Sequence, residues 1–131
     1  MDDTELVDSF EACTLPMAAM RHPEHVQLAW AMLRRAPHFE QAALRFCSGL
    51  RRYASTHGKG ALYHETITWA YLALVNERMH TCAAATFDDF SAQNRDLLEG
   101  ALGALHRHYG PDILRSELAR CAFLLPRGEA R

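Results

Sequence analysis

The sequence predicts an all-α fold, a single-domain antiparallel bundle of about five to six helices with short loops. Apolar residues recur at intervals of three and four along most of the chain, as they do on one face of a helix. No segment alternates between apolar and polar residues as a strand does, and no turn pair of the Asn-Gly type occurs. With 131 residues, 49% of them hydrophobic and 23% charged, the chain is sufficient to form one core.

The first two elements are marked by charge and by proline. Residues 1–10 are acidic and are predicted to form a loose lead-in, with a short first helix over Asp2–Glu11 as the alternative. The first firm helix begins near Pro23, because proline is favoured in the first turn, where its missing N–H costs nothing. This helix ends before Pro37, which prevents continuation.

The next two helices are separated by the turn Gly58-Lys59-Gly60. Pro37 opens the second helix, and its apolar stripe consists of Phe39, Ala42, Ala43, Phe46, Leu50 and Tyr53. The third helix begins at about Leu62 or Tyr63 and runs to Arg78. A short strand is the alternative at Ile67–Trp69, where helix propensity is lower, but the long run without turn residues favours the helix.

The C-terminal part of the chain is predicted to hold three more helices. Thr86 is an N-cap for a short helix that stops at Asn94. A further helix spans Leu97–Tyr109, and a last one begins at Pro111 and runs to Ala122. Residues 127–131 are predicted to be a flexible tail.

Two of the predicted helix starts are rich in histidines and carboxylates. His22, Glu24 and His25 lie at the start of the first firm helix, and His64 and Glu65 at the start of the third. Short connections make neighbouring helices antiparallel, so these two helices begin at the same end of the bundle. We therefore expect the five side chains to meet there.

This group of residue types is typical of a metal site. Two or three imidazoles with one carboxylate suit a divalent transition metal, namely Zn, Fe or Cu. The predicted metal ligands are His22, His25, His64 and Glu65. In a metal-dependent enzyme acting on a small-molecule substrate, Glu65 or Glu24 would be a fourth ligand or the general base, and Tyr63 a proton donor. The alternatives are a metal-sensing small subunit without catalysis and an interaction module without metal, in which Glu65 orients His22 or His25.

The same argument about helix direction extends the candidate site. If the bundle alternates throughout, His57 at the end of the second helix lies near the same end. His106, His108 and Tyr109 then lie there too, at the end of the fifth helix. Whether these four residues join the site stays open at this point.

Composition excludes several classes of function. The net charge of −2 gives no reason to expect nucleic acid or an anionic membrane as a partner. Met1–Asp8 lacks the apolar run of a signal peptide, and no apolar stretch reaches the roughly 20 residues of a membrane span. The cysteines are widely spaced and form no C-x-x-C pair, which favours free thiols in the cytoplasm. The apolar helices are compatible with a homodimer.

Three motifs together resemble those of a known group of proteins. They are R-H-P-E-H at residues 21–25, Y-H-E-T-I-T at residues 63–68 and S-E-L-A-R at residues 116–120. Over residues 10–126 the chain resembles a family of short all-helical bacterial proteins of unknown function. The resemblance implies a bacterial origin and does not imply a reaction.

Overall fold

The computed structural model describes residues 1–100 and 102–127, and these form an all-α domain, which confirms the predicted fold class. In chain order the helices are α1 (Asp3–Glu11), α2 (His22–Arg35), α3 (Phe39–Thr56), α4 (Glu65–Thr81), α5 (Phe87–Gln93), α6 (Arg95–Leu98), α7 (Pro111–Leu114) and α8 (Glu117–Cys121). Short 3-10 turns lie at Met17–Ala19, Gly60–Leu62 and Leu105–Arg107. No β-strand occurs in either of the described ranges, so the strand alternative at Ile67–Trp69 is wrong. None of the helices in these ranges is both long and apolar enough to cross a membrane.

The acidic N-terminus forms a helix rather than a loose lead-in. The carboxylate of Asp2 caps α1 by accepting a hydrogen bond from the Glu5 N–H at 2.8 Å. Leu6, Val7 and Phe10 are buried, so one face of α1 belongs to the core. Of the two alternatives for this segment, the structure therefore has the short helix.

The core lies among α1, α2, α3 and α4. α2 is buried along most of its length, from Val26 to Leu33, with only Gln27 less enclosed. Trp30 of this helix packs against Phe90 of α5 with a ring-centroid distance of 4.8 Å. α1 approaches α3 closely at Gly49, where an added Cβ would lie 2.9 Å from Phe10 Cε2. A larger residue at this position would therefore push α1 away from the core.

The helix predicted over Leu97–Tyr109 is wrong. The chain is helical only to Leu98 and then turns before the 3-10 segment at Leu105–Arg107. Gly100 and Gly103 lie in this stretch, and glycine in a helix interior costs roughly 0.5–1 kcal/mol relative to alanine. The two glycines give a physical reason for the interruption.

The single last helix from Pro111 to Ala122 is also wrong, because the structure divides it into α7 and α8. The division occurs at Ser116, whose hydroxyl accepts a hydrogen bond from the Ala119 N–H at 3.1 Å and so caps α8. Of the predicted flexible tail, only Arg127 is described, and its N–H donates to the carbonyl of His108 at 3.0 Å. The remainder of that prediction lies outside the described residues.

Candidate functional site: a cavity at the starts of α2 and α4

The starts of α2 and α4 border one cavity, which also extends along α3 and has a volume of about 450 Å³. Its lining consists of Met17, Met20, His22, His25, Ala29, Phe46, Leu50, Tyr53, Ala54, Lys59, Leu62, Tyr63, His64, Ile67, Thr68, Tyr71, Leu72 and Leu102. The volume lies within the range of about 300–1,000 Å³ that is usual for small-molecule sites. His22, His25 and His64, which the sequence predicts to share one end of the bundle, are all in this wall.

His22 is tied to the segment that follows α5. Its Nε2 lies 2.7 Å from the carbonyl oxygen of Leu97, and since a carbonyl only accepts, Nε2 carries the proton of this bond. The hydroxyl of Tyr71 also donates to the Leu97 carbonyl, and its ring meets the His22 ring edge-on. Burial raises the pKa of Tyr71 to about 12, which keeps this hydroxyl a donor.

His64 uses both of its ring nitrogens within the protein. Nδ1 accepts a hydrogen bond from the Ile67 N–H at 3.0 Å, which caps α4. Nε2 lies 2.7 Å from the carbonyl oxygen of Leu114 and donates to it. One accepting and one donating nitrogen define the neutral imidazole and its tautomer.

His25 differs from the other two histidines because its ring nitrogens make no hydrogen bond to a described residue. Burial, followed by the proximity of His22, lowers the pKa of His25 to about 4, so its imidazole is neutral near pH 7. Within residues 1–100 and 102–127, the fully buried side-chain polar atoms that lack a partner are Trp30 Nε1 and His57 Nε2. The nitrogens of His25 are therefore not fully enclosed, and His25 itself belongs to the cavity lining.

Thr68 is the second polar side chain of the lining without a partner in the described part of the chain. It is buried, with an exposed fraction of 6%, and it lies one turn after His64 on α4. Its hydroxyl is likewise not among the fully enclosed unpartnered atoms, and Thr68 lines the same cavity as His25. The hydroxyls of Tyr53, Tyr63 and Tyr71, by contrast, each donate to a protein oxygen.

Glu65, predicted as a ligand and general base, is engaged by three neighbouring donors. Its carboxylate accepts from the Tyr63 hydroxyl at 2.7 Å, from Trp69 Nε1 at 3.2 Å and from the guanidinium of Arg51 at 3.1 Å. Burial and then the hydrogen bond to Glu65 raise the pKa of Tyr63, so this hydroxyl stays protonated and is directed at Glu65. Tyr63 contacts the cavity, but Glu65 is not among its lining residues.

Glu24, the other predicted general base, closes the start of α2. Its carboxylate accepts from the backbone N–H of Arg21 at 3.0 Å and forms an ion pair with the guanidinium of the same residue. Burial acts to raise the pKa of Glu24, but the hydrogen bonds and charge of Arg21 outweigh it and hold the pKa below its usual value. Glu24 is not among the lining residues either.

The predicted metal ligands are His22, His25, His64 and Glu65. For all four to bind one ion, the present hydrogen bonds of His22, His64 and Glu65 would have to change. Among residues 1–100 and 102–127, no group of three or more His, Cys, Asp or Glu side chains is arranged to hold a metal ion. His64 has no nitrogen free in this arrangement, and His22 uses Nε2 for the Leu97 carbonyl. The predicted Zn, Fe or Cu site therefore stays a prediction that these hydrogen bonds do not favour.

The four further residues that helix direction suggested for the site lie outside the cavity lining; they are His57, His106, His108 and Tyr109. The ring of His57 packs on Tyr53 with a centroid distance of 4.4 Å, and Tyr109 donates its hydroxyl to the Leu124 carbonyl at 2.8 Å. His106 is half-buried and His108 is exposed. Sequence reasoning did not connect Tyr71 to the site, although it lies seven residues after His64 and therefore on the same face of α4.

The lining is largely apolar and contains no aspartate, glutamate or arginine. Such a surface favours a ligand with an apolar body, and His25 and Thr68, together with Lys59, are the side chains available to orient it. The chain matches no protein-family model, and comparison with curated proteins and with solved structures also gives no match. The resemblance to short bacterial proteins stays a prediction.

Proposed function

We propose that this protein binds a small, predominantly apolar molecule in the cavity between α2, α3 and α4. The observation that carries this proposal is the presence of His25 and Thr68 in an apolar lining, each without a hydrogen-bond partner among the described residues. Both side chains border the cavity, so a molecule held there can form the hydrogen bonds that the protein does not supply. A ligand with one polar function would complete these bonds while its apolar body fills the cavity.

The charge state of His25 supports binding over proton abstraction. With a pKa of about 4, the imidazole is neutral near pH 7 and is only a weak base there. A neutral imidazole has one donor and one acceptor nitrogen, so it can orient a hydroxyl, a carbonyl or an amide. We infer that His25 is the specificity-determining group of this site.

Binding of a divalent transition metal is the second candidate, and one observation favours it. His22 and His25 lie one turn apart on α2, and His25 has free nitrogens on a ring that is neutral near pH 7, which is the form that ligates metals. Elemental analysis of protein without a His-tag tests this candidate. Less than about a tenth of an equivalent of Zn, Fe or Cu, in protein never exposed to chelator, would reject it.

The proposed function is tested by titrating the protein with 1-octanol, an uncharged apolar probe with one hydroxyl. We expect the imidazole resonances of His25 to shift and the Tm to rise, because a ligand at 100 times its Kd stabilises the folded state by about 2.7 kcal/mol. Ala29→Leu places extra carbons in the cavity and should weaken binding about tenfold, since each displaced methylene is worth about 0.8 kcal/mol. Ala73→Leu, at an exposed position of α4, is the matched control.

Two results would contradict the proposal. One is that the resonances of His25 stay unchanged at saturating 1-octanol. The other is that Ala29→Leu and Ala73→Leu weaken binding equally, since only Ala29 lines the cavity. Either result would place the interaction, if any, elsewhere on the molecule.

We also propose that the protein acts in the cytoplasm. Cys13, Cys47, Cys82 and Cys121 are all free, as expected where thiols remain reduced. A homodimer stays a prediction, which sedimentation equilibrium measures directly.

A further inference from the structure

The cavity has a buried floor and an open mouth. Ala29, Phe46 and Leu72 have exposed fractions of 4% or less and form part of the floor. Met17 and Leu62, by contrast, are lining residues with exposed fractions of 40% and 72%. Each lies in a short 3-10 turn, so the two turns at Met17–Ala19 and Gly60–Leu62 border the opening.

One cation stands at this mouth. Lys59 lines the cavity, is exposed and is the only lysine in the sequence. Gly58, with a φ of +72°, turns the chain immediately before it, and the N–H of Lys59 donates to the Ala54 carbonyl at 2.7 Å. The backbone that carries this side chain is therefore held in place.

The positive charge of Lys59 has no carboxylate partner within residues 1–100 and 102–127. Since no aspartate or glutamate lines the cavity, no anion of the lining offsets that charge. The site thus combines a largely apolar lining with a cation, Lys59, that pairs with no carboxylate of the described residues. That distribution is complementary to a molecule that has an apolar body and one negative charge at its end.

We propose that the ligand is a small amphipathic carboxylate, whose apolar body occupies the cavity and whose carboxylate pairs with Lys59 at the mouth. This inference rests on the proposed function, because it names the class of molecule that the cavity binds. A carboxylate carries the one charge that a single lysine balances. A phosphate monoester carries up to two charges, and the lining contains no arginine to bind the second.

The test compares octanoate, 1-octanol and octyl phosphate on the full chain and on Lys59→Met, by isothermal titration calorimetry near neutral pH. An exposed ion pair contributes little, so we expect Lys59→Met to weaken octanoate binding by about three- to fivefold and not to weaken 1-octanol binding, because 1-octanol has no charge for Lys59 to pair with. Lys59→Arg should retain octanoate binding. The difference for octanoate should shrink at high salt, because the pair is exposed to solvent. Circular dichroism checks that each variant is folded.

The outcomes separate this inference from the proposed function. If Lys59→Met changes octanoate and 1-octanol binding equally, the carboxylate inference is overturned while the cavity remains a binding site. If octyl phosphate binds the unaltered protein more tightly than octanoate and loses this advantage in Lys59→Met, the ligand class is a phosphate instead. If none of the three probes binds, the inference and the proposed function both fail.

Discussion

Residues 1–82 and the described residues of the C-terminal part, 83–100 and 102–127, differ in the length of their helices. The first region contains the long helices α2, α3 and α4, of 14, 18 and 17 residues, which pack through broad apolar faces. The second region contains α5 to α8, whose lengths are between 4 and 7 residues. Isolated helices shorter than about 12–15 residues are marginal in water. The second region therefore depends on the first for much of its stability.

Polar side chains of the first region connect the two regions by donating hydrogen bonds to backbone carbonyls of the second. The donors are His22, His64, Thr66 and Tyr71, and the acceptors are carbonyl oxygens of Leu97, Leu114, Ala119 and Ala122. These carbonyls lie in or beside α6, α7 and α8, where short helices leave backbone acceptors without intrahelical partners. In this arrangement, His22 and His64 are structural donors that also form part of the cavity wall, which differs from the role that the sequence predicts for them.

Acid should destabilise the first region through His25. Burial and the neighbouring His22 lower the pKa of His25 to about 4, against 6.5 for an unperturbed imidazole. Between these two pH values the unfolded chain binds a proton that the folded chain does not, so stability is lost as the pH falls from 6.5 to about 4. The loss attributable to this residue should approach about 3 kcal/mol.

Urea unfolding across this pH range measures the effect of His25. Other groups also titrate in acid, so the informative quantity is the difference between the unaltered protein and His25→Gln, which should show a smaller dependence on pH. His80→Gln, at an exposed position of α4, should keep the full dependence. The prediction fails if both variants retain the same slope.

Thr66→Val should break the connection between the two regions. Thr66 is fully buried, and its hydroxyl lies 2.7 Å and 2.8 Å from the carbonyl oxygens of Ala119 and Ala122. It also accepts the N–H of Leu124 at 3.1 Å. Valine keeps the shape but leaves these groups unsatisfied, so we expect a loss of about 2–3 kcal/mol in the free energy of unfolding.

Thr68→Val is the matched control for this change, because Thr68 is buried on the same helix and makes no hydrogen bond to a described residue. Its effect on stability should remain below about 1 kcal/mol. Native-state hydrogen exchange should further show that Thr66→Val reduces amide protection at residues 117–121 before it affects α2 and α3. Equal loss of protection in both regions would mean that they unfold as one unit.

The comparison also explains how much of the fold was predictable. The long helices have enough turns for an apolar stripe to stand out, so α2, α3 and α4 were predicted with nearly correct bounds. The short helices α6, α7 and α8 receive hydrogen bonds from side chains that are distant in the sequence. One example is the bond from His64 Nε2 to the Leu114 carbonyl. Sequence periodicity carries no information about such distant donors.

For the candidate site, too, the sequence predicted the direction of the long helices but not the tertiary hydrogen bonds. The direction of α2 and α4 brought His22, His25 and His64 to one cavity, as predicted from short connections. Glu65 did not follow, because neighbouring residues on a helix do not face each other and it points away from His64. The hydrogen bonds that engage His22 and His64 depend on tertiary structure, so residue types alone could not distinguish donors from metal ligands.

Glu65→Gln should have the smallest effect of these changes, although the sequence predicts Glu65 as a metal ligand and general base. Glutamine still accepts the hydrogen bond of Tyr63, so the main loss is the ion pair with Arg51, whose side chain is 54% exposed. Such pairs contribute about 0.2–1 kcal/mol, and we expect a stability loss within that range in urea unfolding. Glu77→Gln, exposed on the same helix, is the control.

Titrations of Glu65→Gln with 1-octanol and with Zn²⁺ give a second test of the role of Glu65. Because Glu65 does not line the cavity, the variant should bind 1-octanol as tightly as the unaltered protein does. A titration with Zn²⁺ gives the opposing test, since removal of a true metal ligand would lower the affinity by far more than the loss of a solvent-exposed ion pair. A fall of more than about tenfold in Zn²⁺ affinity, with 1-octanol binding unchanged, would mean that Glu65 leaves Arg51 and Tyr63 to bind metal.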